Sequence, residues 1–268
     1  MGIKNLLKFI QPVLKYGNIY EIWDANVGVD MHCFMYKSIY HYDPMKHILI
    51  YLKKIIRLAK HVYLVFDGHA PELKKQEQKS RIANMEKYSP DKSWKKIPEF
   101  KKEIEKMFEK NPKVSIIRSP EESDGQLAYL SSKNLIDVVI TEDSDLIIYG
   151  VPKIIFKFKP SGRCEIYNKQ KLEKFLPWDF KTFRWFCILS GCDYLRGGLR
   201  GFGLVRAQKM FQTSIKSEEA LKQILKQKFK ISNRFFRDFK NAHSAFQNPW
   251  IYDPETDTCR RLNSEIVF

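Results

Sequence analysis

The sequence predicts an α/β fold in which a mostly parallel central sheet is flanked by helices. Three β-prone apolar runs are long enough to be strands buried on both faces, and each run ends in acidic residues. Amphipathic helical patterns lie between the runs, and strands that alternate with helices form parallel sheets with right-handed crossovers. The three predicted strands cover residues 21–30, 62–67 and 136–145.

The clearest helical pattern covers residues 45–59, where apolar residues recur every three or four positions. Residues 153–167 alternate apolar and polar residues around a Pro160-Ser161-Gly162 turn, which predicts a β-hairpin. Residues 72–113 are rich in Lys and Glu and contain several prolines, which predicts a mobile basic insertion between the second and third strands. Further helices are predicted over residues 126–133, 183–190 and 218–229.

The composition indicates a folded protein that binds an acidic polymer. The 268 residues include 47 Lys and Arg against 31 Asp and Glu, which gives a formal net charge of +16. Because 44% of the residues are hydrophobic and 14% are aromatic, a disordered polycation is excluded. Nucleic acid is the first partner that this charge suggests, and an anionic membrane surface is the second.

Several other classes of protein are excluded. No apolar run approaches the roughly 18 residues of a transmembrane helix, and the N-terminal segment lacks the apolar core of a signal peptide. The five cysteines are odd in number and include no Cys-x-x-Cys pair, which predicts reduced thiols and no structural zinc. We therefore expect a protein that is not secreted.

Seven acidic residues stand out as candidates for one shared site. Several follow predicted strands, and sites in α/β sheets form at the carboxyl ends of strands. Two of them, Asp143 and Asp145, would point the same way in extended chain, and Glu122 and Asp124 have the same spacing at a predicted helix start. Taken singly, each acid could instead be a turn former, a helix cap or a solvated side chain. The seven are Asp30, Asp67, Glu122, Asp124, Asp143, Asp145 and Asp193.

Carboxylates gathered in one cleft repel one another unless cations neutralise them. In a protein with a net charge of +16, such a cluster predicts hard divalent cations, Mg²⁺ or Mn²⁺, held by oxygen ligands. Two such ions, about 3.5–4 Å apart, would activate a water and stabilise the leaving oxygen in phosphodiester hydrolysis. A basic protein with this cluster is therefore predicted to be a nuclease.

Several segments closely resemble the XPG/flap-endonuclease family of 5′ nucleases. They are LVFDG (64–68), ITEDSDL (140–146) and ILSGCDYL (188–195), the last followed by LRGFGLVRAQKMF (199–211). The resemblance runs nearly end to end and implies a PIN-like 5′-nuclease fold with a helix-two-turn-helix subdomain and a short basic arch. It implies one domain over 1–268, with an N-terminal region (1–98) that includes the arch (72–98), an internal region (114–215) that includes the helix-two-turn-helix (190–212), and a helical closure (216–268).

All seven acids fall on the family's metal ligands by this resemblance. The family pattern Glu-Ala-Asp-Ala-Gln stands here as Glu122-Ser123-Asp124-Gly125-Gln126, which makes Glu122 rather than Glu121 the ligand. Gly125 stands in place of the family's alanine and is expected to loosen the start of that helix. Because every acid is retained, an inert DNA-end-binding scaffold is the less favoured alternative.

Lys74 and Arg81 are seven residues apart, about 10 Å and two turns along a helix, and so share one face. A solvated charged helix is the usual meaning of such a run. The resemblance matches them instead to a gateway helix that contacts the scissile phosphate, where they would stabilise charge in the transition state. Lys75 is expected to contact the DNA backbone or to lie on the surface. The insertion over 82–100 is shorter than the family's arch, which would relax the need for a free 5′ end.

The segment with Gly201, Gly203, Arg206 and Lys209 resembles the family's helix-two-turn-helix, which grips duplex DNA and binds K⁺. Glycines at a helix start let backbone amides approach a phosphate. A Gly-x-Gly sequence by itself is equally typical of an ordinary turn.

Three further residues are candidate DNA contacts through the same resemblance. Gly2 matches a glycine that lies close to the active centre. Tyr36 matches an aromatic residue that stacks on the nucleotide at the cut, a contact that contributes about 1–3 kcal/mol per base. The alternative is that Tyr36 occupies an amphipathic position in the protein core. His32 is a weaker candidate of the same kind.

The expected reaction is hydrolysis of DNA phosphodiesters at 5′ ends and at junctions of single-stranded and duplex DNA. The first hypothesis is a 5′→3′ exonuclease that is also a 5′-flap endonuclease, with two Mg²⁺ per site and Mn²⁺ able to substitute. Alternatives are a junction-resolving or flap-only endonuclease with an open arch, and a nuclease that also degrades RNA. We expect a monomer in DNA repair, recombination or replication, nuclear in a cellular eukaryote and cytoplasmic if viral.

Overall fold

The computed structural model describes residues 2–88 and 93–262, and these form one central sheet of seven strands. In chain order the strands are β1 (Lys15–Asn18), β2 (Asn26–Asp30), β3 (His61–Phe66), β4 (Val114–Arg118), β5 (Val138–Ile140), β6 (Lys153–Phe156) and β7 (Arg163–Asn168). Their spatial order is β1-β7-β6-β5-β2-β3-β4. The five strands from β6 to β4 run parallel, and only the pairings of β7 with β6 and β1 are antiparallel. The prediction of a mostly parallel sheet is confirmed.

Helices cover both faces of this sheet. They are α1 (Leu6–Phe9), α2 (Met31–Ser38), α3 (Pro44–Leu58), α4 (Lys75–Tyr88), α5 (Ile97–Phe108), α6 (Ser123–Ser132), α7 (Asp145–Ile148), α8 (Lys169–Phe175), α9 (Phe180–Ser190), α10 (Leu204–Met210), α11 (Glu218–Phe229) and α12 (Asn233–Gln247). Helices α2, α3 and α5 bury one face, and α1, α6 and α9 to α12 bury the other. Strand residues alternate between the two cores: Val138 and Ile140 of β5 join the first and Val139 the second.

Helix α3 shows how local sequence sets these elements. The Asp43 side chain caps it by accepting a hydrogen bond of 2.9 Å from the backbone N–H of Lys46, and Pro44 occupies its first turn. Ile48, Leu52 and Ile55 are fully buried against the sheet. The helix predicted over 45–59 is therefore confirmed, within one residue at each end.

The predicted basic insertion is shorter than its composition suggested. Residues 97–108 form α5, whose apolar residues Ile97, Phe100, Ile104 and Phe108 are buried in the core. The next segment is β4, an edge strand beside β3 that was not predicted. An insertion that extends to residue 113 is therefore wrong, because four apolar residues at helical spacing are hidden among many charged ones.

The chain after residue 180 is largely helical, as expected, but it ends differently. Helices α9 and α10 are joined by turns in which Gly191, Gly197, Gly198 and Gly201 all have positive φ angles. After α12, an antiparallel hairpin of β8 (Trp250–Asp253) and β9 (Thr258–Arg261) follows. A wholly helical closure is therefore wrong, because Pro254 and the left-handed Asp257 (φ 53°) form a turn that a helix cannot contain. Residues 263–268 lie outside the described residues.

The C-terminal hairpin packs against α6. Gln126 of α6 is fully buried; its amide donates to the carbonyl of Tyr252 at 2.8 Å and accepts from the N–H of Tyr252 at 2.7 Å. Gly125 leaves room for this approach, because a Cβ there would lie 2.6 Å from Cβ and 2.8 Å from Cγ of Pro249. The glycine in the place of the family's alanine therefore serves packing, which its local sequence does not reveal.

Two exclusions made from the sequence bear on the fold. All five cysteines are free, four of them buried and Cys259 exposed. Within residues 2–88 and 93–262, every helix is too short or too polar to cross a bilayer.

Gly125→Ala is expected to destabilise the protein by about 1–3 kcal/mol, since the added methyl group overpacks against Pro249. This outweighs the gain of about 1 kcal/mol from the better helix propensity of alanine. In a Pro249→Gly background, the same substitution is expected to be neutral or stabilising, because both close contacts are gone. Denaturant unfolding of the four proteins of this cycle measures the coupling. An equal effect of Gly125→Ala in both backgrounds would contradict the packing role.

Candidate metal centre and nucleic-acid surface

The carboxyl ends of three adjacent parallel strands bring four of the predicted acids together. Asp30 ends β2, Asp67 directly follows β3, and Asp143 and Asp145 follow β5. Because β5, β2 and β3 are neighbours in the sheet, these side chains meet at one edge.

The other three predicted acids approach the same edge from two helices. Glu122 is the residue before α6 and Asp124 lies in its first turn, where the helix dipole favours negative charge. Asp193 lies in the turn after α9 and lines the same cavity as Glu122 and Asp124. The structure therefore gathers all seven acids.

The pair Asp143 and Asp145 meets by a different geometry from the one predicted. The strand expected over 136–145 ends at Ile140, and Ser144 is helical (φ −78°, ψ −8°), so that α7 begins at Asp145. The backbone N–H of Asp145 donates to Asp143 Oδ1 at 2.9 Å. An extended segment is thus wrong here, and a tight turn brings the two carboxylates together.

The tightest group consists of Asp124, Asp143 and Asp145, which each place one carboxylate oxygen within 4.8 Å of the others. All three side chains are buried, and Asp145 is completely so. Neither oxygen of Asp145 has a hydrogen-bond partner among the described residues. A buried carboxylate without such partners is strongly unfavourable, and oxygen ligands in this arrangement suit a hard divalent cation. The residues present therefore fit a metal ion.

Burial and mutual repulsion shift the pKa values of these acids upwards. Burial is the largest cause that raises the pKa of Asp145 and of Asp124 well above the ordinary value, and the charge of Asp143 adds to it in both. The pKa values of Asp143 and Asp30 are also raised, chiefly by burial. Without added positive charge, the cluster resists full ionisation.

Lys74 is a cation that the chain itself places inside this cluster. Its Nζ lies 2.7 Å from Glu122 Oε2, 3.6 Å from Asp193 Oδ2 and 3.8 Å from Asp145 Oδ2, and 4.4 Å from the centre of the Tyr194 ring. Burial alone would lower the pKa of this ammonium, but the surrounding carboxylates, Glu122 first among them, hold it well above its usual value. Lys74 therefore stays charged and partly neutralises the site.

Hydrogen bonds from three residues that sequence reasoning missed hold Asp30 and Asp67. Asp30 accepts from Thr141 Oγ1 at 2.7 Å, from Cys33 Sγ at 2.9 Å and from Ser123 Oγ at 3.3 Å. Asp67 accepts from the backbone N–H of Ser123 at 2.8 Å. Thr141 and Ser123 stand beside acids in the ITEDSDL and Glu122-to-Gln126 segments, which is the signal that could have found them.

A cavity of about 710 Å³ opens above these carboxylates. His32 and Tyr36 of α2 line it with ring centroids 5.9 Å apart, and His32 Nδ1 lies 3.2 Å from Asp67 Oδ2. Trp94 and Ile97, at the end of the arch segment, line it too. Sequence reasoning missed Trp94, although a lone tryptophan in a basic, apolar-poor segment was a signal. The cavity has an acidic floor and a partly aromatic wall.

Gly2 lies against this centre. Its φ is 84°, and a Cβ there would be 2.9 Å from Asp145 Oδ1 and closer still to Asp143. The next N–H, that of Ile3, donates to Ser144 Oγ at 2.9 Å. A side chain at position 2 is thus excluded by the carboxylates themselves.

Two other candidates, both in α4, are not shown among the carboxylates as Lys74 is. Lys75 is exposed and forms an ion pair with Glu72, away from the acids. Arg81 belongs to α4, but its side chain lies outside the described part of the structure.

The remaining predicted DNA contacts are not in the carboxylate cavity. Gly201, Gly203, Arg206 and Lys209 line a second cavity of about 1330 Å³. There Gly201 has a φ of 77°, and the Arg206 guanidinium donates to its carbonyl at 2.9 Å. The structure therefore has two surfaces, one acidic at its floor and one basic.

Two family models match the chain. A model of the XPG N-terminal domain matches residues 1–87, and a model of the XPG I-region matches residues 113–193. Together they cover more than half of the chain.

Curated relatives match along nearly the whole chain. Exodeoxyribonuclease 1 of Schizosaccharomyces pombe is 29% identical over 301 residues, which cover 98% of this chain and 52% of that protein. Exonuclease 1 of Oryza sativa subsp. japonica is 30% identical over 298 residues, which cover 98% of this chain and 35% of that protein. The chain thus spans about half of the first relative and about a third of the second.

Solved structures share the fold. The catalytic core of Rad2 in complex with a DNA substrate has a TM-score of 0.65 and 23% identity, covering 95% of this chain and 81% of that one. Human GEN1 in complex with Holliday junction DNA has a TM-score of 0.68 and 16% identity, covering 91% and 64%. In this chain, the segment that matches the N-terminal domain contains Asp30 and Asp67, and the segment that matches the I-region contains the other five acids. The chain belongs to the XPG/flap-endonuclease family.

Proposed function

We propose that the protein is a metal-dependent nuclease that hydrolyses DNA phosphodiesters at 5′ ends and at junctions of single-stranded and duplex DNA. It would act as a 5′→3′ exonuclease and a 5′-flap endonuclease in DNA repair, recombination or replication. The observation that carries the proposal is the buried carboxylate cluster, in which Asp145 has no hydrogen-bond partner among the described residues. The exonuclease relatives support the reaction, and the Rad2 complex supports DNA as the substrate.

Asp124, Asp143 and Asp145 would hold one divalent cation, and the four other acids, which line the same cavity, would help to hold a second. When bound in such sites, Mg²⁺, or Mn²⁺ in its place, lowers the pKa of a bound water and neutralises charge on the leaving oxygen. The hydrogen bonds from Thr141 and Ser123 keep the carboxylates of Asp30 and Asp67 turned towards this centre.

Lys74 would stabilise the charge that develops on the phosphate. Its ammonium is held charged at the edge of the carboxylates, at the end of a 3₁₀ turn directly before α4. A fixed cation in a site that excludes water stabilises a transition state more than it would in bulk solvent. Arg81, two turns further along α4, is proposed to assist.

The wall of the cavity would position the nucleotide at the cut. Tyr36 and His32 offer ring surfaces beside Asp67, and base stacking on such rings is independent of sequence. Trp94 adds an indole from the arch segment. Recognition of the strand would therefore depend on its backbone and its unpaired state rather than on its bases.

A junction-resolving or flap-only endonuclease is the second candidate. It is favoured by the short arch, since only eight residues separate the end of α4 from the start of α5. The fold shared with GEN1, which was solved with Holliday junction DNA, is consistent with this reading. We further propose K⁺ at the helix-two-turn-helix, a monomer in solution and, from its eukaryotic relatives, a nuclear location.

The wild-type protein is expected to cut end-labelled flap and 5′-recessed DNA in Mg²⁺, and Asp145→Asn to lose cleavage by more than about 100-fold. Because Asp145→Asn also removes a buried charge, we expect its thermal midpoint in EDTA to rise, which shows that the loss is not one of folding. Holliday-junction, 5′-blocked and RNA substrates distinguish the alternatives. Internal cutting of blocked DNA would favour the junction or flap enzyme, and no cutting of any substrate would refute the proposal.

Lys74→Met is expected to destabilise the metal-free protein by about 3–5 kcal/mol, because it leaves buried carboxylates without their cation. Mg²⁺ should remove much of this difference, while cleavage at saturating Mg²⁺ should still fall by about 100-fold. Denaturant unfolding with EDTA and with Mg²⁺ measures the first effect, and single-turnover cleavage the second. Lys102→Met is the matched control, since that lysine is exposed on α5 and is expected to change neither. Equal behaviour of the two variants would contradict the role of Lys74.

Mg²⁺ binding is expected to release protons and to tighten as the pH rises. The folded-state pKa values of Asp124 and Asp145 lie above the ordinary carboxyl value. Their contribution to the stability of the metal-free protein is therefore fully present below about pH 4 and is lost as the pH rises through the raised values. Calorimetric Mg²⁺ titrations in two buffers of different ionisation enthalpy count the protons released. Proton uptake, or affinity independent of pH between mildly acidic and neutral solution, would count against this electrostatic picture.

A further inference from the structure

The second cavity, of about 1330 Å³, is a basic groove whose two walls are far apart in sequence. One wall is the N-terminal segment with α1, which contributes Lys4 and Lys8; the other is the segment from the end of α9 to α10. A backbone hydrogen bond of 3.2 Å from Lys4 N–H to the carbonyl of Gly191 ties the walls together. The groove is therefore a fixed feature of the fold and not a chance gap between loops.

The charge of this groove is of one sign. Its lining includes five cations and, among the residues that the structure describes, no carboxylate. All five cations are exposed, and none forms an ion pair with an acid in the described ranges 2–88 and 93–262. They are Lys4, Lys8, Arg200, Arg206 and Lys209.

Several exposed cations elsewhere on the protein have acidic neighbours. Lys15 lies 3.0 Å from Glu21, Lys157 lies 2.8 Å from Glu165, and Arg118 forms two hydrogen bonds of 3.0 Å with Glu105. A cluster of five cations without counter-charge repels itself, and it is stabilised when an extended anion enters. The five cations of the groove thus favour a polyanion.

The groove is joined to the metal centre by one short piece of chain. Gly2 lies against Asp143 and Asp145, and the N–H of Ile3 donates a hydrogen bond to Ser144. The next residue, Lys4, already lines the groove. An anionic chain seated between the groove walls would therefore lead towards the carboxylates.

The lining fits a duplex backbone better than a single strand. Single-strand sites add exposed aromatic rings on which bases stack. Here Phe9 and Phe202 are buried in the wall, and Phe175 is half-buried with its ring packed edge-on against Phe9. Exposed cations together with glycines that allow close approach are typical of contacts to phosphate and sugar, which carry no sequence information.

We propose that Lys4 and Lys8 are additional phosphate contacts to the duplex arm of the substrate, on the wall opposite the helix-two-turn-helix for which the family resemblance already implies duplex binding. The inference rests on the proposed function for the identity of the substrate and extends it to the N-terminal segment. Each lysine would neutralise one phosphate and release its counterions, so that both contribute to the salt dependence of binding.

The test measures binding of a 5′-recessed duplex in EDTA, where no DNA is cut, over a range of salt concentrations. The variant is Lys4→Gln/Lys8→Gln, and the matched control is Lys102→Gln/Lys106→Gln, an exposed pair with the same charge and spacing on α5. The slope of log K against log salt is expected to become shallower by about 2 in the variant, and to stay at the wild-type value in the control. Lys4→Arg/Lys8→Arg should restore the wild-type slope.

Two results would overturn the inference: a wild-type slope in Lys4→Gln/Lys8→Gln, or a change that the α5 control reproduces. An equal loss on single-stranded DNA would overturn the assignment to duplex. Cleavage by the same wild-type protein in Mg²⁺ separates the two proposals. Cutting with an unchanged slope refutes the groove alone, whereas a changed slope without cutting refutes the nuclease and leaves the groove as a duplex-binding site.

Discussion

Repulsion between carboxylates is the constraint on which the rest of this structure depends. Strand ends, a tight turn and a helix start force seven acids to one edge of the sheet, and three of them are brought within 4.8 Å. Such an arrangement is stable with its carboxylates ionised only if positive charge enters and if the backbone holds the acids against their repulsion. Lys74 supplies positive charge from within the chain, and a divalent cation would supply more positive charge.

The need for the backbone to hold the acids in place explains features of the fold that lie far from them. Helix α6 carries Asp124, and it is held by Gln126, which bonds the C-terminal hairpin through both ends of its amide. Gly125 lets Pro249 approach, so the segment that leads into the C-terminal hairpin supports a helix that begins at the carboxylate cluster. Thr141 links Asp30 to the backbone of Asp143 by accepting at 2.9 Å and donating at 2.7 Å. Two strands are thereby coupled through one hydroxyl.

Sequence patterns predicted those parts of the fold that depend on local repetition. The strand over 62–67 and the helix over 45–59 were found because burial imposes a continuous or a 3.6-residue pattern. Helix α5 and strand β4 were missed, because four apolar residues among lysines and glutamates do not change the average composition of their segment. The strand predicted over 21–30 begins only at Asn26, after a turn of 3₁₀ helix.

The site was predicted in its acids but not in its geometry. Strand-end position identified Asp30, Asp67 and the later acids, whereas the turn at Ser144 and the hydrogen bonds of Thr141 depend on contacts between distant segments. The burial of Lys74 among carboxylates likewise has no local signature, since a lysine in a charged helix is usually solvated. The resemblance to a family identified it where periodicity could not.

The N-terminal segment unites the two charged surfaces. Its first described residues are fixed at one end by Ser144 and, one residue later, by Gly191, so the acidic floor and the basic groove cannot shift independently. A backbone gripped at the groove is therefore presented to the carboxylates at a distance set by a few residues of chain. With the duplex held by its phosphates as proposed, the position of cutting would follow from where the duplex ends, since phosphate contacts carry no sequence information. Charge separation within one fold would then be sufficient to give the proposed nuclease a preference for structure.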